Sequence, residues 1–464
     1  MNTRKTQPAA PAHGRRLASR THIEAVTRGA FRLAGRPAAV PERIAPAVRP
    51  DAAIGYLLDG FPEPGACETI EEIVELNRCG VQVHVFVVEP DGVSVDDPWL
   101  GLRGNARTSY APAASSFPTP VAAVRPHGQR LQFSSTRSSE SGTVIRGFGP
   151  KPGAESPLDM QARWIAGQAE ARGIGHLHAQ FGTAELARAI KRLTGLSFSF
   201  TAAGGDLDAA SLNEKSLHEQ IREAEFVVAP SDISRKRLVS SVGAHLARHI
   251  HRIYHGLDLD RLRFHGDEGR DPNAVLCVAS LSETSGVSDL IEAAAILRER
   301  RPSGLRMTIL GKGPLESTLR ARITALGLDD VINLLPPATR TRLTALMRVH
   351  AVMALPYGQF PGLPGNGAPS VLLEAMAVGL PVVSTVVAGV AEVLEDGWTG
   401  RLVPPHSHVG LAGALETMLD NLQVRSRMAK AARAKIERHF AMSRNVSYLA
   451  GLFANATADT NMST

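Results

Sequence analysis

The chain has 464 residues, of which 44% are hydrophobic and 21% are charged, an ordinary globular composition that is long enough for about two domains. Its longest apolar stretches fall well short of the roughly 20 residues that a membrane-spanning helix needs, so we expect no transmembrane anchor. The net charge of +6 arises in the first 50 residues, whose ten basic and two acidic side chains leave −2 for the other 414 residues. A nearly neutral body predicts no nucleic-acid partner.

The basic leader, residues 1–50, is rich in arginine, alanine and proline. It lacks the apolar core of a secretory signal peptide, so we expect either a disordered, solvated tail or a basic arm attracted to anionic lipid headgroups. The three cysteines have no metal-binding spacing and fit a reducing compartment. The predicted location is the cytoplasm, with peripheral contact at the inner face of the membrane if the leader is such an arm.

From residue 51 onward, segments typical of strands alternate with segments typical of helices. Residues 52–58 read as a strand, 67–80 as an amphipathic helix, and 81–88 as a strand with valine at every second position. This is a βαβ unit, which predicts a parallel sheet. Residues 89–157 are rich in serine, proline, arginine and glycine and predict a loop-rich insertion.

A second strand and helix series follows the polar stretch 265–273. Helices are predicted at 287–299, 314–326 and 340–348, each between short strands rich in valine, isoleucine and leucine. The simplest architecture is two doubly wound α/β domains joined near residue 265. Ligands of such sheets bind outside the carboxyl ends of the strands, so we expect the protein to work in a cleft between the two halves.

The segment APSVLLEAMAVGLPVVSTVVAG, residues 368–389, predicts a short helix with Ser370 as its N-cap and Gly379 just past its end. A loop rich in glycine and proline, 361–369, leads into it. A helix start of this kind presents free N–H groups and the positive end of the dipole, which suit a phosphate. Glu374, one turn into the helix, either accepts hydrogen bonds from vicinal hydroxyls such as a ribose diol or only interacts with the helix dipole.

Residues 363–404 resemble the donor-site signature of glycosyltransferase family 4, which comprises retaining enzymes of the GT-B fold. Further stretches resemble the family in the same order, and together they cover the chain from residue 51 to about 453; they are 61–86, 176–208 and 309–319. The resemblance implies two Rossmann-like domains facing across a cleft. It divides the chain into an acceptor-side domain at 51–264, a donor domain at 265–440, and a crossover helix with a tail at 441–464.

For such enzymes the implied reaction is transfer of a sugar from a nucleoside-diphosphate donor to a polysaccharide or lipid-linked acceptor, with retention of anomeric configuration. The nucleotide sugar is a co-substrate, and neither a metal nor another cofactor is expected. The resemblance lies with exopolysaccharide-biosynthesis members. It also implies that the departing phosphate takes the proton of the acceptor hydroxyl, so no protein nucleophile is needed.

Several positions depart from the family pattern. The arginine and lysine that meet the diphosphate align with Ser280 and Ser285, the FTAHA histidine aligns with Ala203, and the first carboxylate of the E-x7-E pair aligns with Asn366. Loss of one preorganised donor typically costs about 2.7–4 kcal/mol of transition-state stabilisation. The second hypothesis is therefore a GT-B protein that is catalytically impaired and serves as a binding or assembly partner in polysaccharide synthesis.

The candidate site combines the inferences from residue chemistry with those from the family resemblance. Glu374 is expected to hold the ribose, Asn366 to contact the donor sugar, and Asp206 either to face a substrate sugar or to cap a helix. Lys312 follows a strand and either supplies a cation to the diphosphate or is an exposed turn lysine. Gly311 and Gly313 either let the backbone approach a ligand or serve a tight turn. The full candidate set is catalytic Glu374, Asn366 and Asp206, with donor-binding Ser280, Ser285, Gly311, Lys312, Gly313, Gly367, Ser370, Val371 and Leu372 beside Glu374.

Two histidines, His176 and His178, alternate with Leu177 and Ala179 on a predicted strand. Metal binding or acid–base chemistry is geometrically open to them, but buried histidines more often pack or form hydrogen bonds. We predict no metal site.

Overall fold

The computed structural model of the protein describes residues 52–60, 68–88, 107–111, 156–180, 182–202, 214–301, 304–358 and 368–461. The basic leader and most of the predicted insertion lie outside these ranges. The described residues form two compact units. The first contains the chain up to Pro230, residues 237–256 and the last helix from Ser443, and the second contains residues 231–236 and Leu257–Met442.

The first domain is built on a seven-stranded sheet in the order β3-β2-β1-β4-β5-β6-β7, with every neighbouring pair parallel. The strands are β1 (Ala53–Leu58), β2 (Val83–Val87), β3 (Thr108–Tyr110), β4 (Ile174–Gln180), β5 (Ser197–Thr201), β6 (Val227–Ala229) and β7 (Ile250–Arg252). The helices in this part of the chain are α1 (Glu68–Arg78), α2 (Pro157–Ala171), α3 (Ala184–Thr194), α4 (Glu214–Glu223) and α5 (Asp232–Val242). Strand β3 lies within residues 89–157, where the sequence predicted only loops, because three residues are too few to show an alternation.

The second domain is built on a six-stranded sheet in the order β10-β9-β8-β11-β12-β13, again parallel throughout. Its strands are β8 (Asp271–Val278), β9 (Arg306–Leu310), β10 (Ile332–Leu335), β11 (His350–Leu355), β12 (Val382–Thr385) and β13 (Arg401–Val403). Its helices are α6 (Val287–Arg300), α7 (Glu316–Ala325), α8 (Arg340–Val349), α9 (Ser370–Val378), α10 (Ala388–Val393), α11 (His408–Asp420) and α12 (Leu422–His439). Two doubly wound α/β domains are therefore confirmed.

The boundary between the domains lies earlier than the predicted residue 264. Leu257 forms a bridge with Ala441, and the carbonyl of Leu262 accepts a hydrogen bond from Arg433 at 2.6 Å. These contacts place residues 257–264 with the second domain. The sequence signal for the boundary was the polar stretch that follows, 265–273, which belongs to the second domain and leads into β8.

The buried side chain of Arg270 connects this segment to the rest of the second domain by hydrogen bonds. The residue is 7% exposed, and among the described residues its guanidinium donates only to backbone carbonyls. Burial lowers its pKa to about 10, with Asp267 acting in the opposite direction. The carbonyl acceptors are those of His265, Gly266, Met347, His350, Val378 and Gly379. One side chain thus connects the start of β8 to the ends of α8 and α9.

The last helix, α13 (Met442–Asn461), covers one face of the first sheet. Phe453 on this helix lies with its ring centroid 5.7 Å from that of His176 and 5.3 Å from that of His178. Phe226 stacks against His176 at 5.8 Å. The opposite face of the same strands carries Leu177, Ala179, Phe198 and Phe200, which pack into the hydrophobic core. None of the described helices is long and apolar enough to cross a membrane.

Beneath α13, β4 and β5 are joined by a continuous chain of side-chain hydrogen bonds, which we call the histidine ladder. His176 Nδ1 lies 2.8 Å from Ser197 Oγ, and its Nε2 lies 2.7 Å from Ser199 Oγ. His178 Nδ1 lies 2.8 Å from Ser199 Oγ, and its Nε2 lies 3.0 Å from Thr201 Oγ1. All four ring nitrogens thus have partners. Hydrogen bonding, the more common alternative for these two residues, is what the structure shows.

Tyr56 lies next to the ladder, with its ring centroid 5.0 Å from that of His178. Its hydroxyl donates to the Glu72 carboxyl at 3.0 Å. Burial raises the pKa of Glu72 to about 7, and the hydrogen bond from Tyr56 opposes that rise. Burial also lowers the pKa of His178 to about 3 and that of His176 well below its usual value. The two histidines are therefore neutral at physiological pH, and Glu72 titrates close to it.

Candidate functional site

The candidate residues of the second domain gather where its strand order reverses. Strand β8 comes first along the chain, β9 and β10 extend the sheet on one side of it, and β11, β12 and β13 extend it on the other. The connections after β8 and β11 therefore diverge at the carboxyl edge, the position where doubly wound sheets bind ligands. Ser280 and Ser285 lie in the loop after β8, and Ser370 and Glu374 lie in the helix after β11.

Three loops at this edge are hydrogen-bonded into one layer. The N–H of Leu281 donates to the carbonyl of Lys312 at 2.9 Å, and the N–H of Leu315 donates back to the carbonyl of Leu281 at 3.0 Å. On the other side the N–H of Gly358 donates to the carbonyl of Thr284 at 2.9 Å. The loops after β8, β9 and β11 are thus fixed to one another, and the edge is a preformed surface.

Gly311 and Gly313 are explained by this layer. A Cβ at Gly311 would lie 2.1 Å from the carbonyl oxygen of Ala279, and one at Gly313 would lie 2.5 Å from the carbonyl oxygen of Leu281. Both distances are far below any real contact. Only glycine permits the close approach of the loop after β9 to the loop after β8, so packing between these loops accounts for both residues.

The side chains of these loops differ in what they offer a ligand. Ser280 is exposed, and its hydroxyl lies 3.0 Å from that of Ser282. Ser285 is 4% exposed, and its hydroxyl donates to the carbonyl of Ser282 at 2.7 Å, so this side chain is engaged inside the loop. Lys312 is exposed and forms no ion pair with any residue that the structure describes. Lys312 is therefore an exposed positive charge at the carboxyl edge of the sheet.

The start of α9 differs by one residue from the prediction. The N-cap is Pro369, whose side chain makes no capping bond, and Ser370 is already the first helical residue. The N–H of Leu372 donates to the carbonyl of Pro369 at 3.0 Å, and its side chain is fully buried. Within the described residues, the N–H groups of Ser370 and Val371 have no acceptor. The helix ends as predicted at Gly379, whose φ of 79° is the left-handed conformation typical of that position.

Glu374 is a buried carboxylate in an apolar helix. Every residue of α9 from Leu372 to Val378 is buried, and the Glu374 side chain is only 8% exposed. Its Oε1 accepts a hydrogen bond from Arg340 Nη2 at 3.0 Å, and the Arg340 side chain is 37% exposed. A charge in such surroundings is tolerated only when it is paired and hydrogen-bonded. Glu374 is therefore held at the carboxyl edge by an ion pair between α8 and α9.

Sequence reasoning missed Arg340, although a local signal was present. The first turn of α8 contains two arginines, Arg340 and Arg342, and no acidic residue. The positive end of a helix dipole favours acids and disfavours bases there, by about 0.3–1 kcal/mol for each charge. Residues that break a local rule of this kind are often kept for a functional reason. The basic start of α8 was therefore a reason to look for an anion nearby.

Several predicted residues lie outside the described residues. They are Asn366 and Gly367, in the connection between β11 and α9, and Ala203 and Asp206, in the segment after β5. The carboxyl edge as described comprises Ser280, Lys312, Ser370, Val371 and the ion pair of Glu374. In the described ranges, no three histidine, cysteine, aspartate or glutamate side chains come together as a metal site would require.

Residues 259–435 match the family model described as glycosyl transferases group 1. A D-inositol 3-phosphate glycosyltransferase from Pseudarthrobacter chlorophenolicus is 35% identical over 227 residues, which span 46% of this chain and 52% of that protein. A putative colanic acid biosynthesis glycosyltransferase from Escherichia coli is 36% identical over 173 residues, which span 36% of this chain and 42% of that protein. The chain thus spans about half the length, or less, of these two curated relatives.

Solved structures match over a larger part of the chain. The HepE protein of Anabaena in complex with UDP and glucose superposes with a TM-score of 0.58 at 18% identity, covering 89% of this chain and 100% of that one. A glycosyltransferase from Rickettsia africae superposes with a TM-score of 0.64 at 13% identity, covering 88% and 99%. At these identities the likeness shows the fold alone. The chain therefore has the GT-B fold, and its second domain contains the segment that matches the glycosyl transferases group 1 model.

Proposed function

We propose that the protein transfers a sugar from a nucleoside-diphosphate sugar to a polysaccharide or lipid-linked acceptor, with retention of anomeric configuration and without a bound metal. The observation that carries the proposal is the buried carboxylate of Glu374, paired with Arg340 at the strand-order reversal, inside the segment that matches the family model. The curated relative named for colanic acid biosynthesis supports a polysaccharide acceptor.

In this proposal the carboxyl edge of the second domain binds the nucleotide. The N–H groups of Ser370 and Val371 donate to the diphosphate, Lys312 contributes positive charge, and the Glu374 carboxylate accepts hydrogen bonds from the ribose hydroxyls. The departing phosphate takes the proton of the acceptor hydroxyl on the same face of the sugar, so no protein side chain acts as nucleophile. Asn366 contacts the donor sugar and Asp206 faces a substrate sugar.

The donor site is tested with a panel of UDP-, GDP-, ADP- and CDP-sugars. We expect one base to raise the melting temperature of the protein and to release nucleoside diphosphate. Glu374→Gln should lower kcat/KM by about 10- to 10²-fold, because a neutral amide replaces a charged acceptor, and loss of one such bond costs about 1.5–3 kcal/mol. Glu316→Gln, in the first turn of α7 and with its side chain 43% exposed, is the matched control and should change little. Unchanged turnover in Glu374→Gln would remove the basis of the proposal.

The alternative, an impaired GT-B protein that binds but does not transfer, is favoured by the serines at 280 and 285 and by the alanine at 203. It predicts thermal stabilisation by a donor without release of diphosphate. Ser285 is turned into its loop, whereas Ser280 is exposed and can be exchanged without disturbing packing.

Ser280→Arg is therefore the direct test of the missing charge. A guanidinium at this edge should raise turnover by about 10²-fold, because a donor aimed at the leaving group is worth about 2.7–4 kcal/mol. Ser280→Gln, of similar size and without charge, is the control and should have little effect. The measurement is initial rate of diphosphate release. If arginine gives no gain over glutamine, a missing cation at this position is not what limits the protein.

The remaining parts of the proposal concern location and cofactors. We propose that the protein acts in the cytoplasm, with the basic leader attracted to anionic lipid at the inner face of the membrane. Sedimentation with vesicles of 30% phosphatidylserine tests the leader: removal of residues 1–50 should abolish binding. Metal independence predicts that EDTA leaves diphosphate release unchanged.

A further inference from the structure

We propose that the side chain of Gln180 binds a hydroxyl group of a sugar ligand at the carboxyl edge of the first domain's sheet. In the proposed reaction that sugar is the acceptor, so this assignment rests on the proposed function. It depends on a buried carboxamide whose oxygen has no hydrogen-bond partner in the described part of the chain.

The first step is the position of Gln180 in the sheet. Strand β1 comes first along the chain, β2 and β3 lie on one side of it, and β4 to β7 lie on the other. The strand order therefore reverses between β1 and β4, and Gln180 is the last residue of β4. Doubly wound sheets bind ligands outside the carboxyl ends of the strands at such a reversal. Gln180 thus occupies a position where a ligand is expected.

The two strand ends at this reversal are connected by one side chain. Thr183 is 3% exposed, and its hydroxyl lies 2.8 Å from the carbonyl oxygen of Gln180 and 3.2 Å from that of Leu57, near the end of β1. The hydroxyl of Thr183 makes no capping bond to α3, which begins at the next residue. The backbone around Gln180 is therefore fixed before a ligand binds.

The second step is that the histidine ladder contains no partner for Gln180. Alternate residues of a strand share a face, so Gln180 follows His176 and His178 on the same face of β4. Each of these histidines bonds to two hydroxyl side chains of β5. Thr201, the register partner of Gln180, is already bonded to His178. The next alternate residue in the sequence, Ala203, has no hydroxyl and lies outside the described residues.

The third step is the effect of this arrangement on stability. Gln180 is 2% exposed, and its Oε1 is buried with no hydrogen-bond partner in the described ranges. A buried polar atom without a partner destabilises the folded protein, whereas an apolar side chain of the same size would not. Residues that lower stability at a ligand-binding position are typical of functional sites. Ligand binding therefore explains a glutamine here better than packing of the sheet does.

The surroundings of Gln180 indicate an uncharged ligand. The two histidines of the ladder are neutral at physiological pH because burial lowers their pKa, and their partners on β5 are hydroxyls. On β1 the next position on this face after Tyr56 is Leu58, which is apolar and 3% exposed. A carboxamide both donates and accepts hydrogen bonds, as a sugar hydroxyl does. A neutral sugar therefore fits this position better than a charged group.

The carboxamide reaches the edge by rotation about its own side-chain bonds. Three torsions separate the Gln180 backbone from its carboxamide, and the last of them has a broad preference rather than three narrow ones. Strand β4 ends at this residue, so the side chain leads directly to the carboxyl edge. A sugar at that edge thus gains a hydrogen bond without any displacement of the sheet.

The test measures binding of octyl glycosides of glucose, galactose, mannose and N-acetylglucosamine to the full-length protein by saturation-transfer NMR, without nucleotide. We expect at least one glycoside to bind, and Gln180→Met to weaken that binding about tenfold or more, because the ligand hydroxyl loses its partner. The matched control is Gln220→Met. The Gln220 carboxamide donates to Glu185 and to Ser216 at 3.2 Å each, and its replacement should leave glycoside binding unchanged.

Urea unfolding separates ligand binding from a structural role. Gln180→Met should have a midpoint equal to or above that of the wild-type protein, because its buried Oε1 has no bond to lose within the described residues. Gln220→Met should have a lower midpoint, because it loses two hydrogen bonds. A lower midpoint in Gln180→Met, glycoside binding equal to that of the wild-type protein, or no glycoside binding at all would each overturn the inference.

Release of nucleoside diphosphate separates this inference from the proposed function. With a bound glycoside as acceptor, Gln180→Met should raise the KM of the glycoside and leave the KM of the nucleotide sugar unchanged. An equal rise in both KM values would contradict the assignment to the acceptor. Glycoside binding that depends on Gln180, without diphosphate release from any nucleotide sugar, would mean that the proposed transfer is wrong while the sugar site stands. The two failures are therefore distinguishable.

Discussion

Arg270→Met should lower the free energy of unfolding of the second domain by about 3–5 kcal/mol, a large part of the 5–15 kcal/mol that holds a typical domain together. The guanidinium is buried and donates to six backbone carbonyls. Methionine fills a similar volume but donates nothing. Each carbonyl left buried without a partner costs about 1–3 kcal/mol, partly recovered where water enters.

Native-state hydrogen exchange, resolved by peptide, measures this loss domain by domain. Protection of β8 and β11 should fall in Arg270→Met, whereas β4 and β5 of the first domain should keep theirs. The control is Arg300→Met, because the Arg300 side chain is 46% exposed and, in the part of the chain that the structure describes, has one ion pair, to Glu416 at 2.8 Å. An exposed pair of that kind contributes about 0–1 kcal/mol. Equal effects of the two substitutions would show that the buried carbonyls are not what Arg270 stabilises.

The sequence predicted those parts of the fold that depend on residues close together in the chain. Alternating apolar residues gave the parallel strands, and the glycine at position 379 marked the end of α9 because it takes a left-handed φ of 79°. The start of α9 was displaced by one residue, from Ser370 as cap to Pro369, because helix starts are poorly fixed by sequence. The domain boundary moved for a different reason, since the bridge between Leu257 and Ala441 joins residues far apart in the chain.

The candidate site could be predicted only in part, because some of its contacts join residues that are far apart in the chain. Glu374 drew attention as a lone carboxylate in an apolar helix, and its burial could be expected from its neighbours. Its partner Arg340 lies on another helix, so no periodicity connects the two. The glycines at 311 and 313 were open to two interpretations, and only the distances to the neighbouring loop show that packing requires them. Sequence patterns identify which residues are unusual, whereas the fold decides what they contact.

The stability of the first domain should fall as the pH is lowered from 6.5 to 5. His176 and His178 have their pKa lowered in the folded state, so the unfolded chain binds protons first, and the stability present above about pH 6.5 is lost below it. Each histidine contributes about 1.4 kcal/mol per pH unit in this window. Lys191 adds to the effect at His176, and His84 and His255, whose pKa is also lowered by burial, act in the same direction.

Glu72 opposes this loss. Its pKa is raised to about 7 in the folded state, so the folded protein binds its proton before the unfolded chain does, and stability is gained as the pH falls from 7 towards 4.5. The two ladder histidines lower the free energy of unfolding as the pH falls, and Glu72 offsets about the effect of one of them. The free energy of unfolding of the wild-type protein should therefore fall by at least about 1.4 kcal/mol per pH unit. Without Glu72 the loss should be about twice as steep.

Glu72→Gln separates the two contributions, because glutamine keeps an acceptor for the Tyr56 hydroxyl and has no proton to bind in this range. Urea unfolding is followed by the fluorescence of Trp164, which packs against the first core, with Trp99 and Trp398 replaced by phenylalanine. We expect the slope between pH 6.5 and 5 to rise by about 1.4 kcal/mol per unit in Glu72→Gln and to fall by a similar amount in His178→Gln. A stability that does not change with pH in both variants would mean that the ladder accepts protons as readily when folded as when unfolded, which its complete hydrogen bonding and its burial under Phe453 argue against.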